Sequence, residues 1–145
     1  MVIKQLSVYI ENRRGSLCDF LTLLGNENLN ILALSLADTT GFGIARCVLA
    51  ESDIDKALTI LKNAGYIAKV NHVICMRMPH KPHALAEILG TLEKSGVSLE
   101  YAYSFCQSTL NDAVVIIRPS DTALCENVLK QAGVICISQA EVDTF

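Results

Sequence analysis

Apolar Leu6, Val8 and Ile10 alternate with Ser7 and Tyr9, the two-residue period of a strand. The apolar positions then change spacing, and Leu17, Phe20, Leu21 and Leu24 form the single stripe of an amphipathic helix. Asn28 stands just past that stripe, where a left-handed stop is expected. Residues 29–37 and 44–50 read as two strands around a connection at 38–43. A second helix follows, with Ser52 as its expected cap, Asp55 three residues on in capping-box fashion, and Gly65 as its stop. A last strand over residues 66–73 completes the order β-α-β-β-α-β.

The same pattern then recurs without a gap. Sliding the chain so that Leu17 falls on Leu85 also puts Leu21 on Leu89 and Leu24 on Leu92. It places Ser52-Asp53 on Ser120-Asp121, Leu61-Lys62 on Leu129-Lys130 and Ala64-Gly65 on Ala132-Gly133. The matched positions are helix seams, caps and stops, so residues 1–72 and 73–145 are read as two copies of one domain. In the second copy Ile74, Met76 and Met78 open the first strand, Gly96 and Gly133 stop the helices, Ser120 is the expected cap, and residues 97–105, 113–117 and 134–142 are strands. Cys106 to Asn111 would connect the middle pair.

This order is the ferredoxin-like fold of the α+β class, in which a four-stranded antiparallel sheet carries both helices on one face. Residues 113–117 are apolar throughout, and Leu32, Leu34 and Leu36 alternate with Ala33, Ser35 and Ala37, so the other face should be covered as well; Tyr101, Tyr103 and Phe105, alternating along one strand, are read as core or domain interface. Domains this small bury only about 60% of their unfolded surface. The copies are therefore expected to dock, and a homodimer is a natural further step.

Composition narrows the function. Hydrophobic residues make up 51% of the 145 and charged ones 19%, enough for a core, and the net charge of −3 lacks the basic footprint of a nucleic-acid binder. With no signal-like start and no membrane-length apolar run, the reading is a cytoplasmic protein without membrane partners. Six cysteines lie far apart with no C-x-x-C pair, as expected of small buried hydrophobes in a reducing compartment.

The element order and Asn12-Arg13-Arg14-Gly15-Ser16-Leu17 resemble the ACT domain, a regulatory module of amino-acid metabolism. The resemblance is stronger in copy 1, where Glu11 to Leu17 followed by Leu29-Asn30-Ile31 resembles the serine-sensing ACT domain of phosphoglycerate dehydrogenase. The resemblance implies an amino acid bound between domains paired edge to edge, the loop after the first strand facing the second strand of its neighbour. It would place polar contacts on Asn12 and Asn30, and on His80 and Ser98 in copy 2, joining Asn12 to Ser98 and His80 to Asn30 if the copies pair within one chain. Ile10 stands where that relative has a polar contact, which counts against serine as the ligand.

The chemistry of the loop leads the same way. A helix starting near Ser16 presents N–H groups without intrahelical acceptors and a positive dipole end, which suit a carboxylate. Gly15 lets a ligand approach the backbone, and the Asn12 side-chain carbonyl can accept from an α-ammonium group. The candidate site is therefore Asn12, Arg13, Arg14, Gly15, Ser16, Leu17 and Asn30, with His80, His83, Ala84, Leu85 and Ser98 at the second. Arg13-Arg14 as a solvated turn and Asn12 as a cap are the competing readings. His80 and His83 are not read as a metal site, because Pro82 breaks their helical spacing. No cofactor is expected. Catalysis is not expected either, since no acid and base are paired and Cys47 beside Arg46 falls in a central strand. Two functions stay open: a stand-alone allosteric sensor acting on a separate metabolic enzyme, and a ligand-free interaction or oligomerisation module.

Overall fold

The computed structural model describes residues 1–105 and 111–145, and Cys106 and most of its predicted connection lie outside them. The chain forms two compact units, Lys4–Asn71 and His72–Phe145, the latter joined by Met1–Ile3. The Met1 ammonium reaches Glu126 in that second unit. Both units have the expected ferredoxin-like architecture.

In the first unit, β1 (Ile3–Glu11) leads to α1 (Ser16–Asn26), then β2 (Ala33–Asp38), β3 (Phe42–Val48), α2 (Ile54–Asn63) and the start of β4 (Ala68–Pro79). β3 lies between β2 and β1, antiparallel to both, with Leu6 opposite Cys47 and Leu34 also opposite Cys47. The Tyr9 N–H donates to the Ile67 carbonyl at 3.0 Å, just ahead of β4. Leu6, Val8 and Ile10 point toward the helices and meet Phe20, Leu24, Ala57 and Leu61 in one buried cluster. The alternate positions of β1 carry Gln5 and Ser7 to the other face. Both are buried, the Gln5 amide donates to Ser7 Oγ at 3.1 Å, and Ser7 Oγ donates to Asn71 Oδ1 at 2.7 Å.

The second unit repeats the order with the rest of β4, α3 (Ala84–Lys94), β5 (Leu99–Ser104), β6 (Asp112–Pro119), α4 (Thr122–Gln131), β7 (Ile135–Ile137) and α5 (Gln139–Val142). Its sheet runs β7-β4-β6-β5, all antiparallel. Ile74, Met76, Val115 and Ile117 face the helices, where Leu92, Cys125 and Leu129 complete the core. Ile116 lies opposite Cys75 and Tyr103 on the other face, where it is fully buried. Phe145, just after α5, packs edge-on to Phe105 at 5.3 Å, and the Tyr101 and Tyr103 rings stack at 6.4 Å.

The helix stops behave as their residues require. Asn28, Gly65, Gly96 and Gly133 all have positive φ at helix ends. The expected caps do not hold. A 3₁₀ turn, Glu51–Asp53, absorbs Ser52, and α2 starts without a side-chain cap, so the capping box with Asp55 does not form. Asp121, one residue after Ser120, caps α4 by accepting from the Leu124 N–H at 2.9 Å. Ser120 Oγ instead accepts from the Ser98 N–H. The last strand of the second unit is also shorter than expected. Ser138 and Glu141 form a reciprocal capping box that ends β7 and starts α5 inside the expected strand. Among the described residues, no helix is long and apolar enough to cross a membrane.

Candidate functional site

In the first unit the chain leaves β1 and turns sharply into α1. Glu11 lies opposite Phe42, the Asn12 N–H donates to the Gly41 carbonyl, and the Arg13 N–H folds back onto the Glu11 carbonyl. The reversal is completed at Gly15, whose φ of 86° is a left-handed conformation that a side chain disfavours. Among the described residues nothing lies within 4 Å of where its Cβ would stand, so the glycine serves the backbone angle. Ser16 N–H donates to the Arg13 carbonyl and Asp19 N–H to the Gly15 carbonyl. The N–H groups of Leu17 and Cys18 lie between them, at the helix start, where the helix offers no acceptor. Gly15 supplies no side-chain cap.

Ser16 is 5% exposed, and its hydroxyl is buried with no hydrogen-bond partner among the described residues. Burying a hydroxyl in that state costs about 1–3 kcal/mol. Two cavities meet at this residue. The larger, of about 390 Å³, lies between the end of β1 and the turn from α2 to β4, and is walled by Tyr9, Phe42, Tyr66 and Ile67. The smaller, of about 80 Å³, lies toward β2 and is lined by Asn12, Leu17, Leu36 and Asp38. Ile10, Glu11, Arg13 and Ser16 border both. Across the opening, Arg13 Nε donates to Glu11 Oε2 at 3.1 Å and Nη2 to Asp19 Oδ2 at 3.3 Å. Hydrogen bonds to Glu11 and then Asp19 raise the Arg13 pKa, although the side chain is exposed. Arg14 is exposed, and its carbonyl accepts from Arg13 Nη1.

The second unit builds the same corner from different residues. His83 takes the place of Gly15 at the start of α3 with φ 67°, and Ala84 takes the place of Ser16. His80 and His83 are both exposed, the His80 N–H donates to the Asn111 carbonyl, and Leu85 is half-buried against the core. A cavity of about 380 Å³ again lies beside the corner; Arg77 and Asp112 stand in place of Tyr9 and Phe42, and Val134 and Ile135 in place of Tyr66 and Ile67. Among the described residues, no three His, Cys, Asp or Glu side chains gather into a metal-binding group.

Asn12 to Leu17 thus lie together at one corner and His80 to Leu85 at the other. Asn30 and Ser98 do not join the corner of their own unit. Both were expected within the second strand of their copy, yet they precede β2 and β5, exposed, at the end of the sheet opposite the corner. The β2 register, Ala33 opposite Val48 and Asp38 opposite Gly43, sets Asn30 about 25 Å along the sheet from residue 12. The walls Tyr9, Phe42, Tyr66 and Ile67 were not foreseen as site residues. Their signal was the apolar pair Tyr66-Ile67 directly behind the helix stop Gly65.

The described cysteines are all free. Burial pushes the thiols of Cys47 and Cys75 up to about 12 and that of Cys125 to about 11, which removes them as nucleophiles at neutral pH. Cys18 departs from the expected burial and lies exposed on α1.

A family model described as an ACT domain pair matches residues 1–144. Among solved structures, the chain is similar to protein BT0572 from Bacteroides thetaiotaomicron, with 36% identity and a TM-score of 0.89, covering 100% of this chain and 98% of that one. It also shares its fold with the regulatory subunit of aspartate kinase from Thermus thermophilus, at 13% identity and a TM-score of 0.69, covering 90% of each chain. The regulatory subunit of aspartate kinase from Thermus flavus gives 14% identity and a TM-score of 0.64, over 90% of this chain and 92% of that one. No curated protein matches by sequence.

Proposed function

The chain belongs to the ACT domain family as a pair of such domains, and from that premise we propose that it is a non-catalytic, cytoplasmic amino-acid sensor that regulates a separate enzyme. ACT domain pairs are regulatory modules, and the fold is shared with regulatory subunits of aspartate kinase. The observation that carries the reading is Ser16, a buried hydroxyl without a partner at a helix start that opens onto a cavity. An α-carboxylate would accept from Ser16 Oγ and from the helix-start N–H groups, and would gain from the dipole. The α-ammonium group would be met by the Asn12 side-chain carbonyl and the Glu11 carboxylate.

Asn30 enters this site only from another domain. Strand β2 is the outer strand of the β2-β3-β1 arrangement, with Leu36 exposed on it. An antiparallel neighbour along β2, supplied by a second chain in a homodimer, would bring the start of its own β2 to this corner. Ligand bound at such an edge regulates only if it binds two arrangements of the pair unequally. Titration calorimetry of the full chain against the common amino acids tests the proposal. Heat that disappears in both Asn12→Ala and Ser16→Ala is expected. Silence across the panel at millimolar concentration would leave a ligand-free oligomerisation module.

A further inference from the structure

Three large apolar side chains stand exposed around one cavity in the first unit: Tyr9 at 36%, Phe42 at 40% and Ile67 at 69%. Leaving that much apolar surface in water is unfavourable by about 25 cal/mol for each Å². The Tyr9 and Phe42 rings lie 5.6 Å apart with their planes tilted by 52°, and the Tyr66 ring packs against the buried Phe20 at 6.0 Å. The volume of about 390 Å³ falls in the range of small-molecule pockets. The cavity is also bordered by Ser16, Arg13 and Glu11, a buried hydroxyl and two exposed charges of opposite sign. Large apolar side chains beside a zwitterion-compatible group of Ser16, Arg13 and Glu11 suit a particular ligand class.

We infer that the ligand of the first unit is an α-amino acid with a large apolar side chain, aromatic or branched, seated against Tyr9, Phe42 and Ile67. This rests on the sensor reading and adds to it the identity of the side chain. The head group sits where the two cavities meet, against Ser16 and Glu11, and the tail extends toward the turn from α2 to β4. A hydroxymethyl or hydrogen side chain would leave the aromatic wall in contact with solvent and gain nothing from it. The second unit does not take the same ligand. Arg77 and Asp112 stand at the positions of Tyr9 and Phe42, as the paired registers Glu11 with Phe42 and Pro79 with Asp112 show.

The test is calorimetry of the full chain with phenylalanine, tyrosine, leucine, isoleucine, serine, glycine and aspartate, repeated on Phe42→Ala, Tyr9→Ala and Ser16→Ala. Circular dichroism confirms that each variant is folded. The expected result is binding of the large apolar amino acids at least tenfold tighter than serine or glycine, with a further loss of about tenfold in Phe42→Ala for the apolar ligands alone. Serine, glycine or aspartate binding as tightly as phenylalanine, or Phe42→Ala and Tyr9→Ala leaving phenylalanine within twofold, overturns the inference. The sensor reading then survives, provided Ser16→Ala still abolishes the heat. No heat from any amino acid removes the sensor reading and this inference together.

Discussion

The two units spend nearly the same backbone on different chemistry. Each turns from its first strand into its first helix through a left-handed residue, Gly15 in one and His83 in the other, and each leaves a cavity of closely similar size beside that turn. The first unit furnishes the corner with a buried hydroxyl and with Tyr9 and Phe42, the second with a methyl group and, at the places of those rings, Arg77 and Asp112. On the sheet face away from the helices the contrast reverses. Gln5 and Ser7 are buried polar groups in the first unit, while Val73 and Cys75 fill the corresponding places in the second. Helix seams and stops specify the fold and must match in both copies. Corner and outer-face residues leave the fold alone, so they are free to differ, and a difference there speaks of function.

Core positions that the copies share should break both units alike. Leu24 and Leu92 are equivalent and almost wholly buried. Leu24→Ala and Leu92→Ala are each expected to cost about 2–5 kcal/mol, read as a lower urea midpoint. A cost below 1 kcal/mol at either would show that the two cores are not equivalent.

The corner serine sharpens the comparison next. Ser16→Ala gives the first unit the residue that Ala84 already provides in the second, so the fold tolerates it. Removing an unpartnered buried hydroxyl should leave the ligand-free melting temperature unchanged or higher, while the heat of amino-acid binding disappears. Ala84→Ser is the reverse exchange. It should destabilise by about 1–3 kcal/mol without creating an amino-acid response, since a hydroxyl buried there has no ligand to meet. If Ser16→Ala lowers stability and leaves binding intact, the hydroxyl is structural.

The left-handed turn predicts a smaller asymmetry. Histidine tolerates positive φ better than most residues, yet still bears a cost that glycine avoids. His83→Gly should stabilise by about 0.5 kcal/mol after allowing for the looser unfolded chain, and Gly15→His should destabilise by about 1 kcal/mol. Thermal melts of the two variants, moving in opposite directions, would check this.

The periodic features were legible in the sequence because they depend on local spacing. The stripe from Leu17 to Leu24 and its copy from Leu85 to Leu92 became α1 and α3, and Gly65 and Gly133 stopped their helices. Competition misled the reading elsewhere. Ser120 was a plausible cap, but its Oγ accepts from the Ser98 N–H and its N–H donates to the Ser98 carbonyl, so Asp121 caps instead. The strand expected through residue 142 ended early at a signal that was present, Ser138 with Glu141 three residues on, outweighed by the apolar run before it. The loop of the site was visible as a motif. Its aromatic wall was not, because Tyr9, Phe42 and Ile67 come from three distant stretches that only the sheet register unites.

That overlooked capping box yields the smallest expected effect, and it belongs to the second unit alone. In the first unit the chain continues from the last strand, whereas in the second Ser138 starts α5, whose Glu141 accepts from the Ser138 N–H and Oγ, both at 2.8 Å. The backbone bond, then the hydroxyl bond and the nearby Arg77, hold the Glu141 carboxyl below its ordinary pKa, against a small opposing effect of burial. A depressed folded-state pKa adds stability above the unfolded value of about 4.3 and loses it as pH falls through the folded value. Glu141→Gln keeps an acceptor for the Ser138 N–H and removes the charge. The wild type should therefore melt slightly higher than Glu141→Gln at pH 7, and the gap should close below pH of about 4. A gap that stays constant over this range would mean that Glu141 acts here only as a neutral acceptor.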